Sequence, residues 1–329
     1  MAVNAELRRN ATLVGFAGVA FFAMQAAAGA LGRPMAPDEL RLLSTDTIPG
    51  WTLRLVPMLL SSGALVIAFR AWVRPAGRVA AAAAGVFAVT WLPVATGSLL
   101  ATPLYTALGT VAASGFVTRW LVERDRGALA AMGVAVALVA WSHTPVAVGA
   151  TTALVGVSLV WGRTSAGPAV AAVLAGAFAG AAVSAAAPVS ALRWVETAGT
   201  RWWLPTVVAA AATTVVVAIA VVEQRWPHRR NAAVVAVTVA AGALVAVASM
   251  NPVTPVTLLT VHAALSVSAG SGALAAWHAV RRMSTPLATV GLVAAAAAFV
   301  IVQLTFAISM GEQLRHAPDV TASAAISGD

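Results

Sequence analysis

Residues 168 to 189 read Pro168-Ala-Val-Ala-Ala-Val173-Leu-Ala-Gly176-Ala-Phe178-Ala-Gly180-Ala-Ala-Val183-Ser184-Ala-Ala-Ala-Pro188-Val189. The run carries no charged side chain, and as a helix rising 1.5 Å per residue it reaches about 33 Å, the thickness of a bilayer's hydrocarbon core. Comparable runs occupy 12–32, 51–69, 79–95, 103–121, 128–142, 146–161, 203–222, 232–249, 254–277 and 286–308. Together they predict an all-α, polytopic transmembrane bundle of about eleven helices. The pair meeting at Ser142, His143, Thr144 and Pro145 reads either as a hairpin or as one long broken helix.

Composition agrees with that class. Hydrophobic residues make up 60% of the 329 and charged residues 9%, with a mean hydropathy of +0.89, whereas soluble domains carry roughly a quarter charged residues. The net charge of +9 does not point to nucleic acid, because the basic residues sit in short clusters between apolar runs rather than along one face. All twenty are Arg, and there is no Cys, which removes disulfides and thiolate metal sites.

The clusters alternate. Arg8 and Arg9, Arg70, Arg74 and Arg78, Arg119, Arg124 and Arg126, Arg163, Arg225, Arg229 and Arg230, and Arg281 and Arg282 fall on one side of the predicted bundle. The other side holds Arg33, Arg41, Arg54, Arg193, Arg201 and Arg315, fourteen against six. Cytoplasmic loops are enriched in Arg, so the expectation is a multi-pass cell-membrane protein with a cytoplasmic N-terminus and an extracytoplasmic C-terminus. The first run has no Ala-x-Ala cleavage pattern after a short apolar core and is about twenty residues long, enough to span, so it is read as a retained helix.

Gly176 and Gly180 form a small-xxx-small pair of the kind that lets helices approach closely in lipid. Ala and Gly abound throughout the chain, and base composition explains that abundance equally well, so the pair is given no function. No repeat and no soluble domain are visible. The longest connections are 33–50 and 190–202, followed by a polar tail at 309–329.

No Asp, Glu or Arg falls near the middle of a predicted span, which counts against an ion-coupled pump, where intramembrane charges mark the pathway. The densest ionisable group is the first outer loop, with Arg33, Asp38, Glu39, Arg41 and Asp46. Pro37-Asp38-Glu39 with Leu40 and Leu43 reads as the start of a short surface helix, acids in a first turn being favoured by the helix dipole. The same residues also read as chemistry: adjacent carboxylates supply a general base, and Arg41 and Arg54 supply guanidinium forks suited to phosphate. Local spacing leaves both readings open.

The succession beyond this loop is Trp51-Thr-Leu-Arg54-Leu-Val-Pro57, an Arg-rich inner turn from Arg70 to Arg78, Trp91-Leu-Pro93, a helix from Thr102-Pro103, and Trp141-Ser-His143-Thr-Pro145. Over about residues 10 to 165, half the chain, it resembles the N-terminal module of the GT-C superfamily of polyprenyl-phosphate-dependent glycosyltransferases, in particular the protein mannosyltransferase and aminoarabinose transferase branch. The resemblance implies a GT-C-like module at 1–165 with its first outer loop at 33–50, additional transmembrane helices at 166–308, and the extracytoplasmic tail. It implies transfer of a sugar from a polyprenyl-phosphate donor in the membrane lipid to an acceptor on the extracytoplasmic face. Asp38 would be the catalytic base and Glu39 its assistant; Arg54 and His143 would contact the donor phosphate, joined by Arg41 and by Arg193 and Arg201 as further phosphate-binding candidates. Thr102 stands where many members carry a second acid, and one acidic loop makes a poor oxygen cage, so no metal and no cofactor are expected.

Elsewhere Trp194, Trp202 and Trp203 suit an interfacial belt. His262, two turns inside the tenth run near Asn251 and Thr260, reads as a buried histidine satisfied by a neighbouring carbonyl, and His143 admits the same reading in an ordinary polar turn. His228 and His278 are expected at the inner surface and His316 in the tail. Two other functions stand beside the glycosyltransferase: a transporter or lipid flippase, suggested by many spans without a soluble domain, and a non-catalytic GT-C-derived subunit with a protein partner in the membrane, suggested by Thr102.

Overall fold

The computed structural model describes residues 2–32, 50–98, 102–162, 166–186, 255–283 and 286–316, together with Val239. Among these residues there are ten α-helices, one short 3-10 turn at Ala30–Gly32, and no strand. The helices are α1 (Ala2–Ala27), α2 (Gly50–Ala76), α3 (Arg78–Val89), α4 (Trp91–Gly97), α5 (Thr102–Glu123), α6 (Arg126–Ser142), α7 (Thr144–Gly162), α8 (Ala166–Ala186), α9 (Pro255–Met283) and α10 (Pro286–His316). Five contain stretches long and apolar enough to cross a membrane: Asn4–Ala27, Arg54–Ala76, Pro145–Gly162, Ala166–Ala186 and Ala288–Ser309.

One sequence expectation changes, and another falls largely outside the described residues. The run at 79–95 is not one straight helix: α3 and α4 meet at Thr90 with a bend of 69°. Pro93 is the physical reason. A proline cannot donate to the carbonyl four residues back and is best accommodated in a helix's first turn, the place that Pro93 takes in α4. The run at 203–222, and that at 232–249 apart from Val239, lie outside the described residues, so eleven helices are not established.

The glycine contacts give the helix directions. A Cβ at Gly176 would stand 2.3 Å from the Gly133 carbonyl oxygen, and one at Gly180 would stand 2.2 Å from that of Ala137. The two contacts advance together along α6 and α8, so these helices are parallel and α7 runs back between them. Ser142 to Pro145 is therefore a reversal, not a kink in one long helix. The Gly176/Gly180 pair, given no function from sequence, is the surface through which α8 seats directly on the α6 backbone.

Between α9 and α3 the order is opposite. Gly270 packs on Val79 and Ala83, while His262 reaches Thr90, so this pair is antiparallel. Arg281 and Arg282, at the end of α9, thus share one end of the bundle with Arg78. That end also carries an ion-pair cluster: Arg74 lies 3.5 Å from Glu123 and 3.4 Å from Asp125, Arg119 pairs with Asp125, and Arg78 lies 3.5 Å from Glu6. Asp125 also caps α6 by accepting from the Gly127 N–H at 2.9 Å. The core between the two ends is aromatic at its centre, with Phe87 6.3 Å from Phe21 and 5.8 Å from Phe69 between ring centroids. Trp72, fully buried, donates its Nε1–H to the Val111 carbonyl at 2.9 Å, which satisfies the one polar atom of an otherwise apolar side chain.

Candidate functional site

At the end of the bundle opposite the ion-pair cluster, Arg54 sits in the second turn of α2 and is 1% exposed. Its Nη1 donates to the Ser98 carbonyl at 3.1 Å. Ser98 is the residue that caps α4, so the oxygen it offers belongs to a helix terminus, where carbonyls lack a partner within the helix and carry negative partial charge. A guanidinium brings its charge into whatever environment it enters, and burying it costs several kcal/mol unless oxygens surround it.

More polar atoms lie on the same side of α2. Gln25 of α1 donates its Nε2–H to Ser61 Oγ at 3.3 Å, and Ser61 Oγ donates to the Met58 carbonyl at 3.1 Å. Gly97 lets α4 close on this pair: a Cβ there would stand 2.9 Å from the Phe21 ring and 3.0 Å from the Gln25 amide. Gln25 Oε1, Ser62 Oγ and Ser98 Oγ are buried and find no hydrogen-bond partner among the described residues.

His143 forms the reversal between α6 and α7. Its N–H donates to the Val139 carbonyl at 2.9 Å, closing α6, and its Nδ1 accepts from the Val146 N–H at 3.2 Å, capping α7. With Nδ1 committed as an acceptor, the proton of the neutral ring is on Nε2. Burial pushes its pKa below the ordinary histidine value. Beside it, Thr106 Oγ1 and Ser142 Oγ share a hydrogen bond of 2.7 Å that ties α5 to α6. Arg54 and His143 thus stand at the same end of the bundle on different elements, each with its own partner. Asp38, Glu39, Arg41, Arg193 and Arg201 lie outside the described residues, and so does Asn251. Thr102 opens α5.

A second polar group, unforeseen as a unit, lies at the α3–α4 bend. Thr90 Oγ1 donates to the Phe87 carbonyl at 2.9 Å and is 2.8 Å from His262 Nε2. A hydroxyl has one proton, so with that proton on Phe87 the histidine is the donor to Thr90. His262 is therefore satisfied by a hydroxyl rather than by the carbonyl expected from sequence, and its ring lies 5.9 Å from that of Phe87. The N–H of Trp91, the first residue of α4, donates to Gln303 Oε1 of α10 at 3.0 Å. Pro93 was the available signal for the break, and a lone Gln within the apolar 288–309 stretch was the signal for its partner.

Among the described residues, no three His, Cys, Asp or Glu side chains gather as a metal site. A scan against models of known protein families finds no match, and no curated protein matches the chain significantly.

Proposed function

We propose that the chain is a multi-pass membrane glycosyltransferase of GT-C type that takes its sugar from a polyprenyl-phosphate donor. The observation that carries this reading is Arg54, a cation wholly buried at the end of an apolar bundle and oriented by the Ser98 carbonyl. A bundle with so few charges keeps such a group where a lipid-borne anion arrives. In this reading the Arg-rich end is cytoplasmic, the chain crosses the membrane about eleven times, and Arg54 and His143 face the extracytoplasmic side. Asp38, assisted by Glu39, takes the proton from the acceptor hydroxyl as its oxygen attacks the anomeric carbon. The bond to the donor phosphate breaks, and the polyprenyl phosphate leaves with the electron pair, its charge met by Arg54 and by the Nε2–H of His143. Arg41, Arg193 and Arg201 are further phosphate ligands in this scheme.

The test is transfer by the purified protein, in lipid nanodiscs, from a panel of polyprenyl-phosphate sugars. Asp38→Asn abolishing transfer supports the assignment; unchanged transfer removes Asp38 from the mechanism.

The bend at Thr90 favours one other reading, a transporter or lipid flippase, since broken helices with polar groups at their ends form transporter sites at the bilayer midplane. Movement of a polyprenyl-phosphate sugar across proteoliposomes, with no transfer to any acceptor, would decide for it.

A further inference from the structure

We propose that α4 is a strut that positions Arg54, and that Gln303 and His262, from the last two helices, are positioning residues for the phosphate site; the inference rests on the reading of Arg54 as the phosphate ligand. The strut is short: seven residues, about 10 Å at helical rise, all buried. Both of its ends are tied by side chains from elsewhere. At the Thr90 end, the Trp91 N–H is held by Gln303 Oε1 and the Thr90 hydroxyl by His262 Nε2. At the other end, the Ser98 carbonyl holds the Arg54 guanidinium. Gly97 seats this same end on Phe21 and Gln25 of α1 with no room for a side chain.

The 69° bend makes the ties necessary. A helix start exposes N–H groups that the preceding turn cannot satisfy, and an unsatisfied N–H within a membrane-embedded bundle costs several kcal/mol. Gln303 answers the first of them. It stands within a strongly apolar, largely exposed stretch of α10, where, once the helix lies in a membrane, an amide side chain is costly unless paired. The pairing therefore fixes where α10 docks as well as where α4 begins. Removing it frees the start of α4 to shift about the Thr90 joint, and a rigid seven-residue rod carries that movement to Ser98. Residues more than 200 positions downstream of Arg54 thereby set the direction of its guanidinium.

The chain has no cysteine, which provides a direct probe. In full-length protein carrying Ser98→Cys, which leaves the backbone carbonyl in place, maleimide labelling reports whether this end of α4 is seated. The single variant should label slowly. Adding Gln303→Leu should speed labelling about tenfold, the effect of losing one hydrogen bond worth about 1.4 kcal/mol. Gln303→Glu, which keeps a carbonyl acceptor when protonated, should restore slow labelling. The affinity of a polyprenyl phosphate, measured on the same proteins without Ser98→Cys, should weaken in parallel for Gln303→Leu and recover for Gln303→Glu. Equal labelling with and without Gln303→Leu overturns the strut. Faster labelling with unchanged affinity, in a protein whose binding does depend on Arg54, overturns the positioning role. Faster labelling in a protein that never binds polyprenyl phosphate leaves the strut standing and removes the phosphate reading instead. If Gln303→Leu does not yield monodisperse protein, Thr90→Val, which deletes the hydroxyl from the same joint and keeps its shape, carries the same comparison.

Discussion

Arg54 donates from Nη1 to the carbonyl oxygen of Ser98, 3.1 Å away, so a buried cation near the start of α2 is aimed by the last turn of α4. A buried guanidinium contributes little net stability, because its desolvation penalty offsets its hydrogen bonds, so an apolar side chain of similar length can replace it at little cost or with a gain. Arg54→Met is therefore expected to leave thermal stability unchanged or slightly raised. Polyprenyl-phosphate affinity should fall on the order of 10- to 100-fold, the loss of a charge-assisted hydrogen bond. Parallel melting and lipid-binding measurements separate the two effects; retained binding would reduce Arg54 to a structural residue.

His143 gives the same end of the bundle a pH signature. Its folded pKa lies below the ordinary 6.5 because burial disfavours the imidazolium. Below the unfolded pKa the unfolded chain then binds more protons than the folded one, so stability is full above that value and falls with pH toward the folded pKa. His143→Asn keeps a side chain able to cap α7 and cannot titrate. Between about pH 7 and pH 5, spanning the ordinary histidine range, the melting temperature of the parent should drop more than that of the variant. Equal slopes would place the acid sensitivity elsewhere.

The helices were legible because crossing hydrocarbon demands unbroken apolar length, a local property of a chain that any reader can count. Arg54 was legible for a related reason: a charge so close to the start of an apolar run has to sit at a membrane boundary. The bend at Thr90 was not, since hydropathy runs evenly through 79–95 and only Pro93 marks the point where a second helix begins. His262 and Gln303 were harder still. Their partners lie 172 and 212 positions away, and a search for chemistry that looks first for charged groups passes over a glutamine. Glycines 176 and 180 were visible as a spacing, but what made them a contact surface was the α6 backbone opposite, which no local pattern discloses.

Asp125 anchors the opposite end. Partial desolvation raises its pKa, but the Gly127 N–H, Arg119 and Arg74 outweigh this and hold the carboxyl below its usual value. Its contribution is therefore present above the unfolded carboxylate pKa and is lost as pH falls through the folded one. Two variants separate the cap from the charge. Asp125→Asn retains an N-cap acceptor and loses the ion pairs, which at an exposed site should cost less than about 1 kcal/mol. Asp125→Ala loses both and should cost about 1 kcal/mol more. Chemical or thermal unfolding in detergent gives the comparison, and equal losses would mean that the cap contributes nothing.

Gly180 tests whether close backbone approach or mere composition explains the small residues of α8. A Cβ at this position would stand 2.2 Å from the Ala137 carbonyl oxygen and 2.7 Å from the Ala140 Cβ, and the first of these is backbone that no rotamer change can move aside. α8 would have to withdraw from α6 along its length, and in lipid that contact is what holds the pair together, since the hydrocarbon offers no hydrophobic drive. Gly180→Ala is expected to destabilise by roughly 1–3 kcal/mol, the range for overpacking a filled interface. Gly15→Ala is the control. It lies within α1 with nothing among the described residues inside 4 Å of its would-be Cβ, and Ala there should be neutral or stabilising by up to about 1 kcal/mol. If both substitutions shift the melting temperature alike, Gly180 is an ordinary helix glycine, and the parallel seating of α8 on α6 rests on contacts other than this one.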